Sequence, residues 1–409
     1  MEDQHKTNNL AFFYFIMQGI GSLVSWNAVL NGVDYFMIKY PRFDVYYIFP
    51  IAVTLAQLMC CFFILKISQT FSLNFRIMVS LLALMCILLF LPIQATLFAG
   101  SSFGFWTIIG LLFLMGWFNT ILTASLSGIV SLFPGKYASY NMIGTSLAGL
   151  SMNALRALFI FSLKSKPNGD VIGILVYFGL SALLVTVCLV IHPIFVRSDF
   201  YRAHLVKSEE VIPSLAGERE IELIKRVSDS GASRKDVRAV LRAFKEVYIY
   251  LFLMLFTQIQ TFTTFPGMML KKHIDGLSLD WKLVTMVATF QASCIIGQKL
   301  AQFREYYNKW VVIFCIIIRT TFAVLFVVQA VSTDSGIIST AWFGYVNIVL
   351  FSVTFGFIQT SLFILAIESV QPDKKEVVGY MTVFGGVVGV ALGAILSLPF
   401  RNVGTVELY

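Results

Sequence analysis

The chain has 409 residues, of which 58% are hydrophobic and only 13% are charged, and its net charge is +8. Soluble domains carry about 25% charged residues, so this composition excludes a chain of ordinary soluble domains and indicates a membrane protein. Excess Lys and Arg in cytoplasmic loops accounts for the positive charge of a membrane protein. We therefore predict no nucleic-acid partner.

Apolar segments long enough to cross a bilayer recur along the whole chain. A spanning helix needs about 20 predominantly apolar residues, and breaks at charged residues, proline and glycine define eleven such segments. The predicted fold class is therefore an all-α membrane protein. The first six segments are Leu10–Ile38, Tyr46–Leu65, Ile77–Phe98, Phe103–Phe133, Tyr137–Leu163 and Val171–Val196. The other five are Val247–Leu270, Trp281–Phe303, Trp310–Val331, Thr340–Ser369 and Val377–Phe400.

A charged stretch, Ser198–Phe244, separates the sixth segment from the seventh. It holds nine Lys/Arg and eight Asp/Glu, and ionised side chains at the centre of a bilayer are too costly for it to span. It divides the spans six plus five, which is typical of a major-facilitator-like transporter with two bundles around a central site. The predicted domains are an N-terminal bundle (1–197), a charged loop (198–244) and a C-terminal bundle (245–409).

The distribution of positive charge predicts the orientation in the membrane. With the N-terminus inside, the inner segments carry 20 Lys/Arg and the outer segments eight, and almost all of the excess lies in the central loop. Short loops rich in Lys and Arg stay in the cytoplasm. We therefore predict a multi-pass protein of the plasma membrane with the N-terminus and central loop cytoplasmic and the C-terminus outside.

The sequence contains no pattern that indicates catalysis or a bound metal. All six cysteines lie in apolar segments without a CxxC pair, so they are expected to be small buried residues. The four histidines are scattered, and no phosphate-binding glycine loop or Ser/His/Asp arrangement occurs. We predict no enzyme activity, no catalytic residues, no cofactor and no metal.

A few polar residues within the predicted spans are functional candidates, because ionisable groups inside a membrane are costly and usually serve a function. Asp34, Arg156 and Arg319 are the ionisable members of this group, and Gln258 joins them on the seventh span. Thr261 falls near Gln258 on a helix. These residues could form a polar network near the substrate, or they could simply bond helix ends and line the gap between bundles.

One aromatic residue lies in the middle of the first span. Trp26 has Leu23 and Leu30 one helical turn away on either side, so the three side chains share a helix face. Stacking of a planar base on such a face contributes about 1–3 kcal/mol. Packing of Trp26 against lipid or within the protein core is the alternative.

Four stretches of the chain have close parallels in a known family. They are Ser25–Phe36, Ser125–Leu150, Phe262–Leu270 and Gly386–Arg401. In these stretches the chain resembles the equilibrative nucleoside transporters. The shared features include Trp26-Asn27 followed by an aromatic pair in the first stretch and Leu-Gly-Ala in the last. The resemblance covers essentially the whole chain. It implies eleven helices and passive, equilibrative transport of a small-molecule substrate, a nucleoside or nucleobase, by alternating access.

The resemblance also implies the substrate site, position by position. The expected binding residues are Leu23, Trp26, Leu30, Thr123, Gln291, Cys294 and Gln298. The family usually carries an Asp and an Arg in its eighth helix that hold the ribose hydroxyls, whereas this chain has Cys294 and Gln298 at those positions. A thiol and a neutral amide make weaker hydrogen bonds than charged groups. Transport of another small polar or cationic solute, and a non-transporting membrane sensor or interaction protein, therefore stay as alternatives.

Overall fold

The structure, a computed structural model, describes residues 9–162, 169–209, 237–265, 279–331 and 336–399. These residues form thirteen α-helices and, within the described ranges, no strand. The first seven are α1 (Asn9–Asn31), α2 (Val33–Lys39), α3 (Val45–Thr70), α4 (Leu73–Leu97), α5 (Ser102–Ser131), α6 (Gly135–Ser162) and α7 (Gly169–Val196). The others are α8 (Asp199–Glu209), α9 (Val237–Thr264), α10 (Leu279–Leu300), α11 (Lys309–Val331), α12 (Ala341–Glu368) and α13 (Lys375–Ser397).

The long helices coincide with the predicted spans. Eleven helices have 22 residues or more, and each overlaps one predicted segment. In the described part of the chain, nine segments are long and apolar enough to cross a membrane. In α3 the apolar segment whose side chains are described is Ile48–Ile64, and α9 carries four charged residues in its first ten positions. The helical membrane fold is confirmed, whereas eleven crossings stay a prediction.

The structure differs from the sequence prediction at both ends of the charged stretch. Helix α8 lies inside the predicted loop, and α9 begins at Val237 rather than at Val247. Hydropathy detects only helices that face lipid, so an amphipathic helix outside the membrane gives no signal. Ser198 marks the start of α8, because its hydroxyl accepts a 3.3 Å hydrogen bond from the backbone N–H of Tyr201. Residues 210–236, in the middle of the stretch, lie outside the described residues, so the domain boundaries stay a prediction.

The first predicted span is broken into α1 and α2 at Gly32. The N–H of Tyr35 bonds to the carbonyl of Gly32 at 3.2 Å, which leaves the carbonyl of Asn31 without its usual partner four residues on. Arg156 of α6 replaces that partner, with an Nη1 to oxygen distance of 2.5 Å. The helix therefore bends where a side chain of α6 inserts into its hydrogen bonding.

Close helix contacts organise the N-terminal bundle, α1–α7. Helix α6 packs along α1, and the contact is closest at Gly19 and Gly144. A Cβ added at Gly144 would lie 2.2 Å from the carbonyl oxygen of Ile16, so the backbones touch there. Asn141 also donates a 3.2 Å hydrogen bond across this contact to the carbonyl of Phe15. Small residues that let backbones approach, with amide hydrogen bonds, are the usual means of packing helices in membranes.

The C-terminal bundle, α9–α13, packs in the same way and meets the first bundle along two lines. Helix α10 packs on α12 within the bundle, and α9 packs on α13. Between the bundles, α6 lies against α10, while α13 lies against α5 and α3. The contacts between the bundles thus involve α6, α5 and α3 of the first bundle, while α1 packs along α6 within that bundle.

Candidate functional site

The partly exposed residues of α1 form a single stripe. Between Tyr14 and Leu30, the positions that are not buried are Ile16, Ile20, Leu23, Trp26 and Leu30. Their spacing of three and four residues puts them on one helix face. The structure thus brings together Leu23, Trp26 and Leu30, as the sequence predicts. Their contact with a substrate stays a prediction.

An ion pair continues this stripe beyond the helix break. Arg156 donates a 2.6 Å hydrogen bond to Oδ2 of Asp34, and its side chain is buried. The Asp34 side chain is 52% exposed, whereas the guanidinium of Arg156 is buried inside the bundle. The pair ties α2 to α6 and balances a buried positive charge, which would otherwise be costly. The sequence singled out both residues, and the structure joins them.

The candidate binding residues of α10 lie where α10 packs on α6. We call this contact the seam. A Cβ added at Gly149 would lie 2.4 Å from Nε2 of Gln291, so the Gln291 side chain rests directly on the α6 backbone. Further along, the hydroxyl of Ser139 donates a 2.6 Å hydrogen bond to the carbonyl of Gln298. The Gln298 side chain is buried, and its Oε1 has no hydrogen-bond partner in the described structure.

Cys294 is buried between three helices. A Cβ added at Gly356 of α12 would lie 3.1 Å from its Sγ atom, and Ser146 of α6 and Ser352 of α12 lie close to the thiol. The thiol therefore lies at the seam but is covered in this conformation. Thr123 of α5 is half-buried, and its side chain forms no hydrogen bond with another described residue. The binding roles of Cys294 and Thr123 stay predictions.

The remaining polar candidates do not form one network with Asp34 and Arg156. Arg319 lies in the C-terminal bundle and bonds to Thr261 of α9 at 2.7 Å. Gln258 packs instead on α13, where a Cβ added at Gly389 would lie 2.7 Å from its Cβ. Gln258 and Thr261 therefore point to different neighbouring helices. Within the described residues, no group of three His, Cys, Asp or Glu side chains could hold a metal ion.

Three residues that the sequence analysis did not single out join the bundles on one side of the membrane. Arg76 of α4 donates a 3.0 Å hydrogen bond to the hydroxyl of Tyr380 on α13. Its Nη2 also lies 3.6 Å from Oε1 of Glu376, which accepts a hydrogen bond from Tyr380. We call Arg76, Glu376 and Tyr380 the latch. Each charged member is a single charge near the start of an apolar helix, which is also the pattern of an ordinary membrane-surface residue.

The latch lies on the side of the membrane from which α8 and α9 extend. We call this side the loop side. Successive helices run up and down, so α4, α6, α9 and α13 all begin on this side. Tyr201 of α8 covers the latch, because its side chain is buried close to Asn74 and Glu376. Burial raises the pKa of Tyr201 to about 12, so this phenol stays neutral. Together with the bond from Ser139 to Gln298, these contacts close the loop side.

A comparison with protein families matches the larger part of the chain. A family model described as "Nucleoside transporter" matches residues 109–402. Equilibrative nucleotide transporter 1 of Arabidopsis thaliana is 25% identical over 397 residues, which cover 95% of this chain and 85% of the relative. Equilibrative nucleoside transporter 4 of Homo sapiens is 21% identical, covering 94% of this chain and 82% of the relative.

Solved structures with the same architecture are major facilitator superfamily transporters. The proton:xylose symporter XylE bound to 6-bromo-6-deoxy-D-glucose superposes with a TM-score of 0.71 at 10% identity, covering 96% of this chain and 88% of that chain. FucP in the outward conformation superposes with a TM-score of 0.62 at 12% identity, covering 95% and 97%. At such low identity this likeness concerns the fold alone.

Proposed function

The chain belongs to the nucleoside transporter family, and we propose that it carries nucleosides or nucleobases passively across the membrane by alternating access. The observation that carries this proposal is the partly exposed stripe of α1 around Trp26, in a two-bundle fold whose loop side is closed. The moving bodies are residues 1–197 and 245–409, with 198–244 as the link. Closure at the latch describes one of the two end states of such a cycle.

The chemistry around the stripe suits a planar, polar substrate without a strong charge. Trp26 offers an aromatic face, and Leu23 and Leu30 exclude water on either side of it. Gln291 and Gln298 supply amides that can both donate and accept hydrogen bonds at the edge of a base. The absence of a carboxylate at Cys294 removes one strong acceptor for ribose hydroxyls. Nucleobases are therefore included in the proposed substrate class beside nucleosides.

Uptake by the purified protein in proteoliposomes tests this function. With labelled adenosine, uridine, hypoxanthine and adenine and no ion gradient, we expect saturable uptake that stops at equal concentrations inside and outside. The variant Trp26→Ala should raise the half-saturating concentration about fivefold or more, because base stacking contributes about 1–3 kcal/mol.

A second tryptophan variant distinguishes the loss of base stacking from a general effect of removing a tryptophan. Trp106 on α5 is 62% exposed and lies away from the stripe, so Trp106→Ala should transport like the unchanged protein. Equal effects of the two substitutions would remove Trp26 from the site. No uptake of any of the four compounds would refute the substrate class and leave another solute, or a sensor role, as the function of the fold.

We also propose that the loop side is the cytoplasmic face and that the protein resides in the plasma membrane. The supporting observation is the excess of Lys and Arg in the central stretch. An epitope tag inserted in 210–236 should bind antibody only after cells are permeabilised. The same tag inserted in 163–168, between α6 and α7, should bind antibody on intact cells. The reverse labelling pattern would overturn the orientation.

A further inference from the structure

Arg319 is the largest fully buried side chain of the protein's described part. It projects from α11 into the C-terminal bundle, where it donates hydrogen bonds to the carbonyl of Phe351 and to Oγ1 of Thr261. Its guanidinium carbon lies 3.6 Å from the centre of the Phe351 ring and 5.0 Å from that of Phe355. The contacts of the cation are therefore a carbonyl, a hydroxyl and two aromatic faces.

This cation has no carboxylate partner among the described residues. Within the described part of the chain, the other two buried arginines are Arg76 and Arg156, which lie within 4 Å of Glu376 and Asp34, whereas no ion pair involves Arg319. Its Nε is buried without a hydrogen bond. An arginine does not lose its proton in a protein. The bundle thus holds a full positive charge that aromatic faces and neutral oxygens offset only in part.

The charge lies directly behind the seam between the bundles. The guanidinium of Arg319 lies 5.0 Å from the ring centre of Phe355 on α12, and the next residue, Gly356, packs on Cys294 of α10. Cys294 therefore lies beside the part of α12 that contacts the unbalanced charge, on the helix that meets α6 at the seam. In the low dielectric of the bundle, a positive charge attracts an anion far more strongly than it would in water. Charges at this depth in a membrane pair with an opposite charge or with a transported ion.

We propose that Arg319 makes the seam an anion-selective subsite, so that the transporter prefers base-containing substrates that carry a carboxylate or phosphate over their neutral counterparts. This inference rests on the proposed function and names the charge class of its substrate. The anionic group would lie at the seam beside Cys294 and supply the negative charge that Arg319 lacks, while the ring stacks on Trp26. Neutral bases would use the same route without that electrostatic contribution.

Two pairs of compounds that differ only in an anionic group test the proposal in proteoliposomes without an ion gradient or membrane potential. Orotate and uracil differ by a carboxylate, and uridine 5′-monophosphate and uridine differ by a phosphate. We expect the unchanged protein to take up at least one anion about tenfold more efficiently than its neutral counterpart, which corresponds to about 1.4 kcal/mol. The pair that shows the preference identifies a carboxylate or a phosphate as the group recognised.

Substitutions at Cys294 connect the preference to Arg319. Cys294→Asp supplies a fixed carboxylate beside the guanidinium, so uptake of the anion should fall about tenfold relative to uptake of its neutral counterpart by the same variant. Cys294→Ser is the matched neutral control and should keep the preference for the anion. Arg319→Gln should also lose the preference, and Lys299→Gln, at an exposed position of α10, should keep it.

The results separate this inference from the proposed function. The unchanged protein could take up uracil or uridine as efficiently as the matching anion, or more efficiently. That result would overturn the anion subsite and leave the transport function standing. No uptake of any of the four compounds would defeat both. An anion preference that persists in Cys294→Asp and in Arg319→Gln would also overturn the inference, because the selectivity would then arise elsewhere.

Discussion

Arg76→Ala is expected to reduce uptake about thirtyfold while leaving the protein folded and inserted. The Arg76 side chain is 2% exposed and holds Tyr380 and Glu376 of the opposite bundle. Removing one member of a buried pair costs about 3–5 kcal/mol, and the 34% exposure of Glu376 lowers that to about 2 kcal/mol through solvent screening. The cost falls on the state that is closed at the loop side, because only that state forms the latch.

A carrier must visit both end states to complete a cycle. Destabilising one state by about 2 kcal/mol changes the ratio of the two about thirtyfold, so Arg76→Ala should remain open at the loop side. A cysteine introduced at Ser139, in a background without the six native cysteines, should then react faster with a loop-side thiol reagent. That measurement reports the conformation independently of uptake.

Variants of the same pair provide the control. Glu376→Gln should cause a smaller loss than Arg76→Ala, because the amide can still accept a hydrogen bond from Arg76 or Tyr380. The charge swap of Arg76→Glu with Glu376→Arg should recover part of the uptake that each single change removes. Full activity and unchanged labelling in Arg76→Ala would show that the latch does not hold the loop side closed.

The sequence could predict the helices and the stripe of α1 because both depend on local spacing. An apolar run of about 20 residues is enough to predict a spanning helix, and Leu23, Trp26 and Leu30 share a face by helix geometry alone. The helix break at Gly32 was not predictable in this way, since it depends on Arg156 bonding to the carbonyl of Asn31. That contact requires α6 to lie against α1.

The latch and the charge behind the seam could not be predicted for the same reason. Arg76 and Glu376 are three hundred residues apart in sequence, and each alone resembles a charge at a membrane surface. Arg319 was recognisable as unusual from its position in an apolar span. The sequence did not reveal that Arg156 has a carboxylate partner while Arg319 has aromatic rings and neutral oxygens. Partner identity follows from which helices are neighbours, and hydropathy contains no information about that.

Gly144→Ala is expected to destabilise the folded transporter, although alanine is the better helix former. The added Cβ would lie 2.2 Å from the carbonyl oxygen of Ile16 and 2.9 Å from Cα of Gly19, so α1 and α6 would have to separate. Separation would also stretch the 3.2 Å bond from Asn141 to Phe15. Overpacking of this kind costs about 1–3 kcal/mol or more, which exceeds the gain of about 1 kcal/mol in helix propensity.

Thermal unfolding of the detergent-solubilised protein, followed by size-exclusion chromatography, measures this effect. We expect the melting temperature of Gly144→Ala to fall by roughly 2–4 °C. Gly110→Ala and Gly179→Ala are matched controls, because both glycines lie in long apolar helices and an added Cβ meets nothing within 4 Å. They should melt at or slightly above the temperature of the unchanged protein. If all three variants melt alike, the backbone contact at Gly144 does not hold α1 against α6, and the stripe around Trp26 has another support.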